Sequence, residues 1–170
     1  MSVWDAIVGQ QAVVEQLKAI AAGDPKAIAQ SWLICGPPGS GRSNVARAFA
    51  AALDTPDHGL ADEPDKARQQ ILAGTHPDVT VLATNKVTIS IDEVRELIGI
   101  SEQMPSTAPW RVIIIEDVDR MLERTTNVLL KEIDRLKNGG KKADVEPETK
   151  KIVEQLTGIK FEKCWPQTAE

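Results

Sequence analysis

The residues with the clearest chemical potential are Gly36, Gly39, Ser40, Gly41, Arg42 and Ser43, inside the run Gly-Pro-Pro-Gly-Ser-Gly-Arg-Ser over 36–43. The run fits the phosphate-loop pattern G-x-x-x-x-G-K-[ST] at every fixed position but one, where Arg42 replaces lysine. In such a loop the glycines permit a tight turn that aims backbone N–H groups at phosphate oxygens. The helix that follows adds the partial positive charge of its N-terminus. Ser43 offers the hydroxyl that would hold magnesium. The plain alternative is a Gly/Pro-rich turn between a strand and a helix. Arg42 alters the chemistry, because lysine is a compact point charge and arginine a longer planar fork. A fork still pairs with phosphate, so binding can survive where efficient hydrolysis is not expected.

A second chemical group is acidic. Glu116 and Asp117 follow directly on Ile113-Ile114-Ile115. Hydrolysis of a nucleoside triphosphate needs one carboxylate to support magnesium and another group to position or polarise the attacking water. Glu116, with Ser43, is the candidate for metal support, and Asp117 the candidate for the catalytic role. The order is Glu-Asp, whereas hydrolytic sites of this type read Asp-Glu. The exchange moves each carboxylate by about one methylene, in a reaction where ångström-scale misplacement is costly. Alternatively Glu116, Asp117 and Asp119 cap the following helix, since acids favour its positive dipole end. The two roles are compatible.

Both groups need a scaffold. Ser31-Trp32-Leu33-Ile34-Cys35 is an apolar run ending at Gly36, predicted as a buried parallel strand. After the loop, Val45, Ala46, Phe49, Ala52 and Leu53 form a helical stripe. Upstream, Val13, Val14, Leu17, Ile20 and Ala21 mark another helix, ended by Gly23-Asp24-Pro25. Residues 54–64 are polar and turn-rich, predicting a surface loop, and 65–73 predict a short helix closed by Gly74. Val79-Thr80-Val81-Leu82 predicts a strand. Ser90 and Glu93 form a capping-box pattern for a helix carrying Val94, Leu97, Ile98 and Ile100 that must stop before Pro105. Trp110-Arg111-Val112-Ile113-Ile114-Ile115 is the strongest strand, its β-branched run predicting burial on both faces. A long helix follows, with Leu122, Leu129, Leu130, Ile133 and Leu136 expected inside. Strands alternating with helices predict an α/β fold with a parallel sheet. Such sheets bind ligands at the carboxyl ends of their strands, where the phosphate loop and Glu116-Asp117 would converge.

Composition narrows the classes. The 170 residues suit one domain with a real core, and the net charge of −5 argues against a broadly basic nucleic-acid surface. No apolar run reaches membrane-spanning length and the N-terminus lacks a signal-peptide pattern, so a cytoplasmic location is expected. Cys35 and Cys164 sit in apolar segments and read as small core residues, and with two histidines they make no credible zinc cluster.

The order of several segments resembles bacterial clamp-loader subunits of the AAA+ superfamily. They are Val8-Gly9-Gln10, Ser31-Trp32-Leu33, the loop over 36–43 and Gly74-Thr75-His76-Pro77-Asp78. Ile91-Asp92-Glu93-Val94-Arg95-Glu96-Leu97, Trp110-Arg111-Val112, Glu116-Asp117-Val118-Asp119-Arg120 and Asn127-Val128-Leu129-Leu130-Lys131 complete the set. The Gly-Arg-Ser loop ending and Glu-Asp-x-Asp-Arg resemble the delta-prime type of DNA polymerase III, in its actinobacterial form, rather than the hydrolysing tau/gamma type. The resemblance covers 1–134. It implies a P-loop NTPase (AAA+) three-layer fold with a parallel central sheet, incomplete at its C-terminus. It also implies a rigid subunit in a ring that loads the sliding clamp on primed DNA, typically without hydrolysing ATP itself. Implied partners are the tau/gamma and delta subunits, with DNA reached only through the complex and no membrane. The implied cofactor is ATP or ADP with magnesium, without zinc, and Ile7 and Val8 would cover the adenine base; they could equally be plain core.

The chain departs from the family in two places. Residues 54–68 carry no cysteine where relatives often hold a four-cysteine zinc module. After Lys131 the expected Glu-Glu-Pro-Pro turn, sensor strand and Ser-Arg-Cys segment with its trans-acting arginine do not follow, nor do lid and collar domains. Residues 135–170 read as a divergent tail with a helix expected over 147–156 and a strand over 159–165, so the chain resembles a truncated relative. Lys141-Lys142 and Lys150-Lys151 read as solvated surface. The competing readings are an active AAA+ ATPase that tolerates arginine, a non-functional fragment, and more remotely a nucleotide kinase.

Overall fold

Two β-branched runs pair to make the centre of the fold. The computed structural model describes residues 2–29, 31–62 and 65–137. Strand β1 (Val79–Leu82) and strand β2 (Val112–Ile115) are parallel and in register, Val79 facing Val112 and Leu82 facing Ile115. Around them lie helices α1 (Gln11–Ala21), α2 (Arg42–Asp54), α3 (Lys66–Ala73), α4 (Ile91–Ser101) and α5 (Glu123–Lys137). Short 3-10 turns cover Pro25–Ala27 and Val118–Arg120.

Side chains alternate across a strand, and here the alternation separates two cores. Val79, Val81, Val112 and Ile114 face a cluster built with Val14, Phe49 and Ile71 from α1, α2 and α3. Leu82 and Ile115 face the other cluster, with Ile89, Val94 and Met121, against which α5 lays Val128 and Leu129. Helices therefore cover both faces of a small parallel sheet, the α/β arrangement expected of alternating elements.

Local chemistry explains the helix ends. Ser90 Oγ accepts from Glu93 N–H, while the Glu93 carboxylate accepts from Ser90 N–H, closing the capping box that starts α4. Asp65 caps α3 by accepting from Arg68 N–H, and Gly74 ends it in the left-handed conformation. None of the described helices is long and apolar enough to cross a membrane.

Four expectations are corrected. Residues 31–35 form no strand: a strand needs a neighbour for its N–H and C=O groups, and among the described residues β1 and β2 pair only with each other. Trp32 and Ile34 still pack on the core, so the apolar run is used for side-chain burial alone. Within β2 only Ile114 is buried, the other three residues being half-buried, because the edge away from β1 carries no further strand among the described residues. Leu122 is 62% exposed and precedes α5, whose buried positions include Thr125 and Glu132. Glu132 is held inside by Arg135, at 2.6 Å, and by the Ser101 hydroxyl. The loop after α2 is not all surface. Asp54, Thr55 and Gly59 are buried, and Gly59 C=O accepts from Val3 N–H, tying the N-terminal segment down. The helix expected over 147–156, the strand over 159–165, Cys164 and the four tail lysines lie outside the described residues.

Candidate functional site

The phosphate loop is shaped by its glycines. Gly39 and Gly41 adopt φ of +80° and +84°, and a Cβ on either would meet open space rather than protein. At Gly36 a Cβ would come within 2.6 Å of Ser40 Oγ, so the loop closes on itself there. Ser40 N–H donates to Pro37 C=O at 3.1 Å, which completes the turn. Gly41 then leads into α2 without any side-chain cap, so the first-turn N–H groups of Arg42 and Ser43 are not taken by a capping side chain. An uncapped helix N-terminus behind an open glycine turn suits an anion such as a nucleotide phosphate. Trp32 braces the loop from below. Its ring meets Phe49 of α2 edge-on at 5.2 Å, and its indole N–H donates to Ala29 C=O.

The strand-end acids lie beside this loop. Glu116 N–H donates to Leu82 C=O at 3.0 Å, carrying the β1–β2 pairing one step beyond the strands. Asp117 takes φ 53° and ψ 51°, an uncommon backbone for a residue with a side chain. Asp117 Oδ1 stands 3.8 Å from Arg42 Nη2, and Asp117 Oδ2 stands 3.5 Å from Arg120 Nη2. Glu116 Oε1 accepts a 3.1 Å hydrogen bond from Arg47 Nη2, one turn farther along α2. The loop and the acids, read separately in the sequence, are thus one cluster joined by arginines.

Ile7 and Val8 separate. Val8 is 88% exposed, whereas Ile7 packs on the core and lines a cavity of about 370 Å³ with Asn44, Arg47 and Ala48 of α2. Arg68 and Leu72 of α3 line it as well. The cavity therefore includes the arginine that holds Glu116.

A buried acid fixes the start of β2. Asp78 is fully buried at the head of β1 and accepts from the backbone N–H and hydroxyl of both Ser106 and Thr107, from Ala108 N–H, and from Arg111 at 3.3 Å. Burial works to raise its carboxyl, but these donors outweigh burial and hold it well below the usual carboxylate range. Asp54 at the end of α2 accepts from Trp110 N–H at 3.0 Å. Burial pushes the Asp54 carboxyl up to about 7, against that hydrogen bond and with the help of the Asp78 charge. Together the two acids pin residues 106–111 and so set where Glu116 and Asp117 emerge.

Sequence patterns did not reveal Arg47, Asp54 or Asp78 as partners of the site. Arg47 sits on the helical stripe's flank, and its partner is 69 positions away. The His-Pro-Asp segment drew attention to Asp78 only as part of a resemblance.

Whether the residues suit magnesium can be read from the donors. A hard cation of this kind needs carboxylate oxygens free to coordinate it. Glu116 is hydrogen-bonded to Arg47, and Asp117 lies at ion-pair distance from Arg42 and Arg120, so neither offers a free carboxylate. The present arrangement does not fit the ion, and no step is derived through it.

Comparison with known proteins is consistent in direction. Residues 9–135 match the family model described as DNA polymerase III, delta subunit. The chain is 33% identical over 129 residues to DNA polymerase III subunit delta' of Pseudomonas aeruginosa, covering 74% of this chain and 38% of that protein. It is 28% identical over 136 residues to DNA polymerase III subunit tau of Bacillus subtilis, covering 77% of this chain and 23% of that one. The chain thus spans well under half the length of these curated relatives. No solved structure matches it significantly.

Proposed function

Because the chain belongs to the family described as DNA polymerase III, delta subunit, we propose that it is a clamp-loader subunit of the delta-prime type. In this reading it supports sliding-clamp loading in DNA replication without hydrolysing ATP itself. Residues 1–134 form an AAA+ nucleotide-binding-like unit and 135–170 a divergent tail. Partners are the tau/gamma and delta subunits, DNA is met through the complex, and the work is done in the cytoplasm. The choice of the delta-prime over the tau/gamma type rests on the Gly-Arg-Ser and Glu-Asp-x-Asp-Arg segments, and the form proposed is the actinobacterial one.

The observation that carries the non-hydrolysing reading is the engagement of the acids. Asp117 lies near Arg42, the residue standing where a phosphate loop has lysine, and Glu116 is tied to Arg47 at 3.1 Å. Pairing of both carboxylates with arginines supports a site that does not activate water. The loop over 36–43 is kept as a phosphate cradle, with Gly36, Gly39, Ser40, Gly41, Arg42 and Ser43 around an ATP or ADP phosphate chain. Ile7, packed on the core, and Val8, exposed, would cover the adenine base.

Two measurements test this. Co-expression of the full chain with tau/gamma and delta subunits should yield a complex on affinity purification, and failure to co-purify would overturn the assembly role. The isolated chain should show no steady ATP turnover. A turnover near about 1 s⁻¹, low for an enzyme, that disappears in Ser43→Ala would overturn the non-hydrolysing role.

A further inference from the structure

The arrangement of arginines around the strand-end acids has a consequence for the ligand itself. Arg42 and Arg120 lie beside Asp117 and Arg47 holds Glu116, so three guanidinium groups meet the two strand-end carboxylates, with Asp119 a further acid in the adjoining turn. Arg42 begins α2, where the open glycine turn and the uncapped helix N-terminus already favour an anion. In a magnesium-dependent site the cation both screens the phosphates and draws a carboxylate into its water shell. Here the screening charge is built into the chain, and the carboxylate is already used.

We propose that this site takes the polyphosphate of a nucleotide without a divalent cation, with Arg47 as the positioning residue that keeps Glu116 from a metal. The inference rests on the nucleotide-binding reading above and goes beyond it by naming the charge state of the ligand. Arg47 is suited to the role by its surroundings. It is about one third exposed and Glu116 about one fifth, so the pair is partly shielded from competing water and salt. Its Nε is buried without a hydrogen-bond partner, and it lines the cavity shared with Ile7 and Asn44. A cation drawing Glu116 away would leave a half-buried guanidinium uncompensated, which is unfavourable. Phosphate oxygens, by contrast, can be met by the Arg42 fork and by the backbone N–H groups with no rearrangement of Glu116.

The test is a binding titration of the full chain with a fluorescent ADP, the N-methylanthraniloyl derivative, in magnesium and in EDTA. The two dissociation constants should agree within about twofold. Weakening of about tenfold or more in EDTA would overturn the proposal. Arg47→Met frees Glu116 to repel phosphate and to accept a cation. That variant should bind about tenfold more weakly in EDTA than in magnesium. In Arg47→Met/Glu116→Gln the dependence should vanish again, and its persistence would show that Glu116 is not the group Arg47 controls. Circular dichroism of each variant checks the fold, and the comparison on the unaltered chain stands without them. Absence of ADP binding in both buffers would also overturn the proposal, while leaving the assembly role to the co-purification result.

Discussion

Arg42 and Arg47 show how little a single side chain says alone. Arg42 is visible in the sequence as a departure from a pattern, and its nearness to Asp117 gives that departure a physical content. Arg47 carries no pattern at all, because its meaning lies in a carboxylate from another element. Asp54 and Asp78 are a second pair of this kind, and they predict opposite responses to pH. Asp54 has its carboxyl raised, so its contribution to stability is present below the ordinary value of 3.8 and is lost as pH rises through about 7. Asp78 has its carboxyl depressed, so its contribution is present above the ordinary carboxylate range and lost as pH falls below it. Stability should therefore be greatest between the two. Asp54→Asn, which keeps an acceptor for Trp110 N–H, should stabilise the fold by about 1–3 kcal/mol near pH 8.5 and by nothing resolvable near pH 4. Urea midpoints at the two pH values check this, and an equal shift at both would contradict it. Asp78→Ala strips a fully buried network and should cost about 3–5 kcal/mol at neutral pH.

At the scale of elements, what was legible in the sequence was local. The capping box at Ser90 and Glu93, the Asp65 cap and the Gly74 stop each need only a few neighbouring residues, and each is found in place. So are β1 and the core of β2, whose apolar runs fit a pleated, half-buried surface. The segment 31–35 has an equally apolar run but is not a strand, because a ladder depends on what lies alongside and not on the run itself. Leu122 misled for the complementary reason: its helical spacing continued one residue past the true start of α5. The candidate site was half legible, its loop and acids being contiguous motifs and its arginine partnerships long-range. The buried loop after α2 offers a test of packing against backbone. Gly59 at φ +73° would drive a Cβ into Val3 Cγ2, whereas Gly74, also at φ +73°, meets nothing within 4 Å. Gly74→Ala should cost about 1 kcal/mol from the left-handed backbone alone. Gly59→Ala should cost at least about 1 kcal/mol more as Val3 is displaced from the core. Thermal unfolding compares them directly, and equal losses would mean that the N-terminal segment gives way without penalty.

At the scale of the whole molecule, two cores back to back on a narrow sheet hold the loop and the acids at one end. The first core anchors α2, and through it Arg42 and Arg47. The second carries Met121 and α5, which begin just beyond the acids. The site is thus a seam between two packed halves, and the β1–β2 ladder is its hinge pin. That ladder has a consequence in time as well as in space. Val79 pairs with Val112 across a crossover of roughly thirty residues, whose closure costs about 3 kcal/mol of chain entropy. The contacts of α2 with α3 join elements closer in the chain, and a topology rich in such local contacts folds faster. Arg47 and Glu116, 69 positions apart, are expected to meet late, after the ladder has closed. The pair is then absent from the folding transition state, and its loss should appear in the rate of unfolding alone. In stopped-flow chevrons Arg47→Met should steepen neither arm, leave the refolding rate unchanged and raise the unfolding rate; a slowed refolding limb would place the pair in the nucleus instead. The arginine that sets the charge of the site is, on this view, also a latch that closes last and governs how long the folded chain survives.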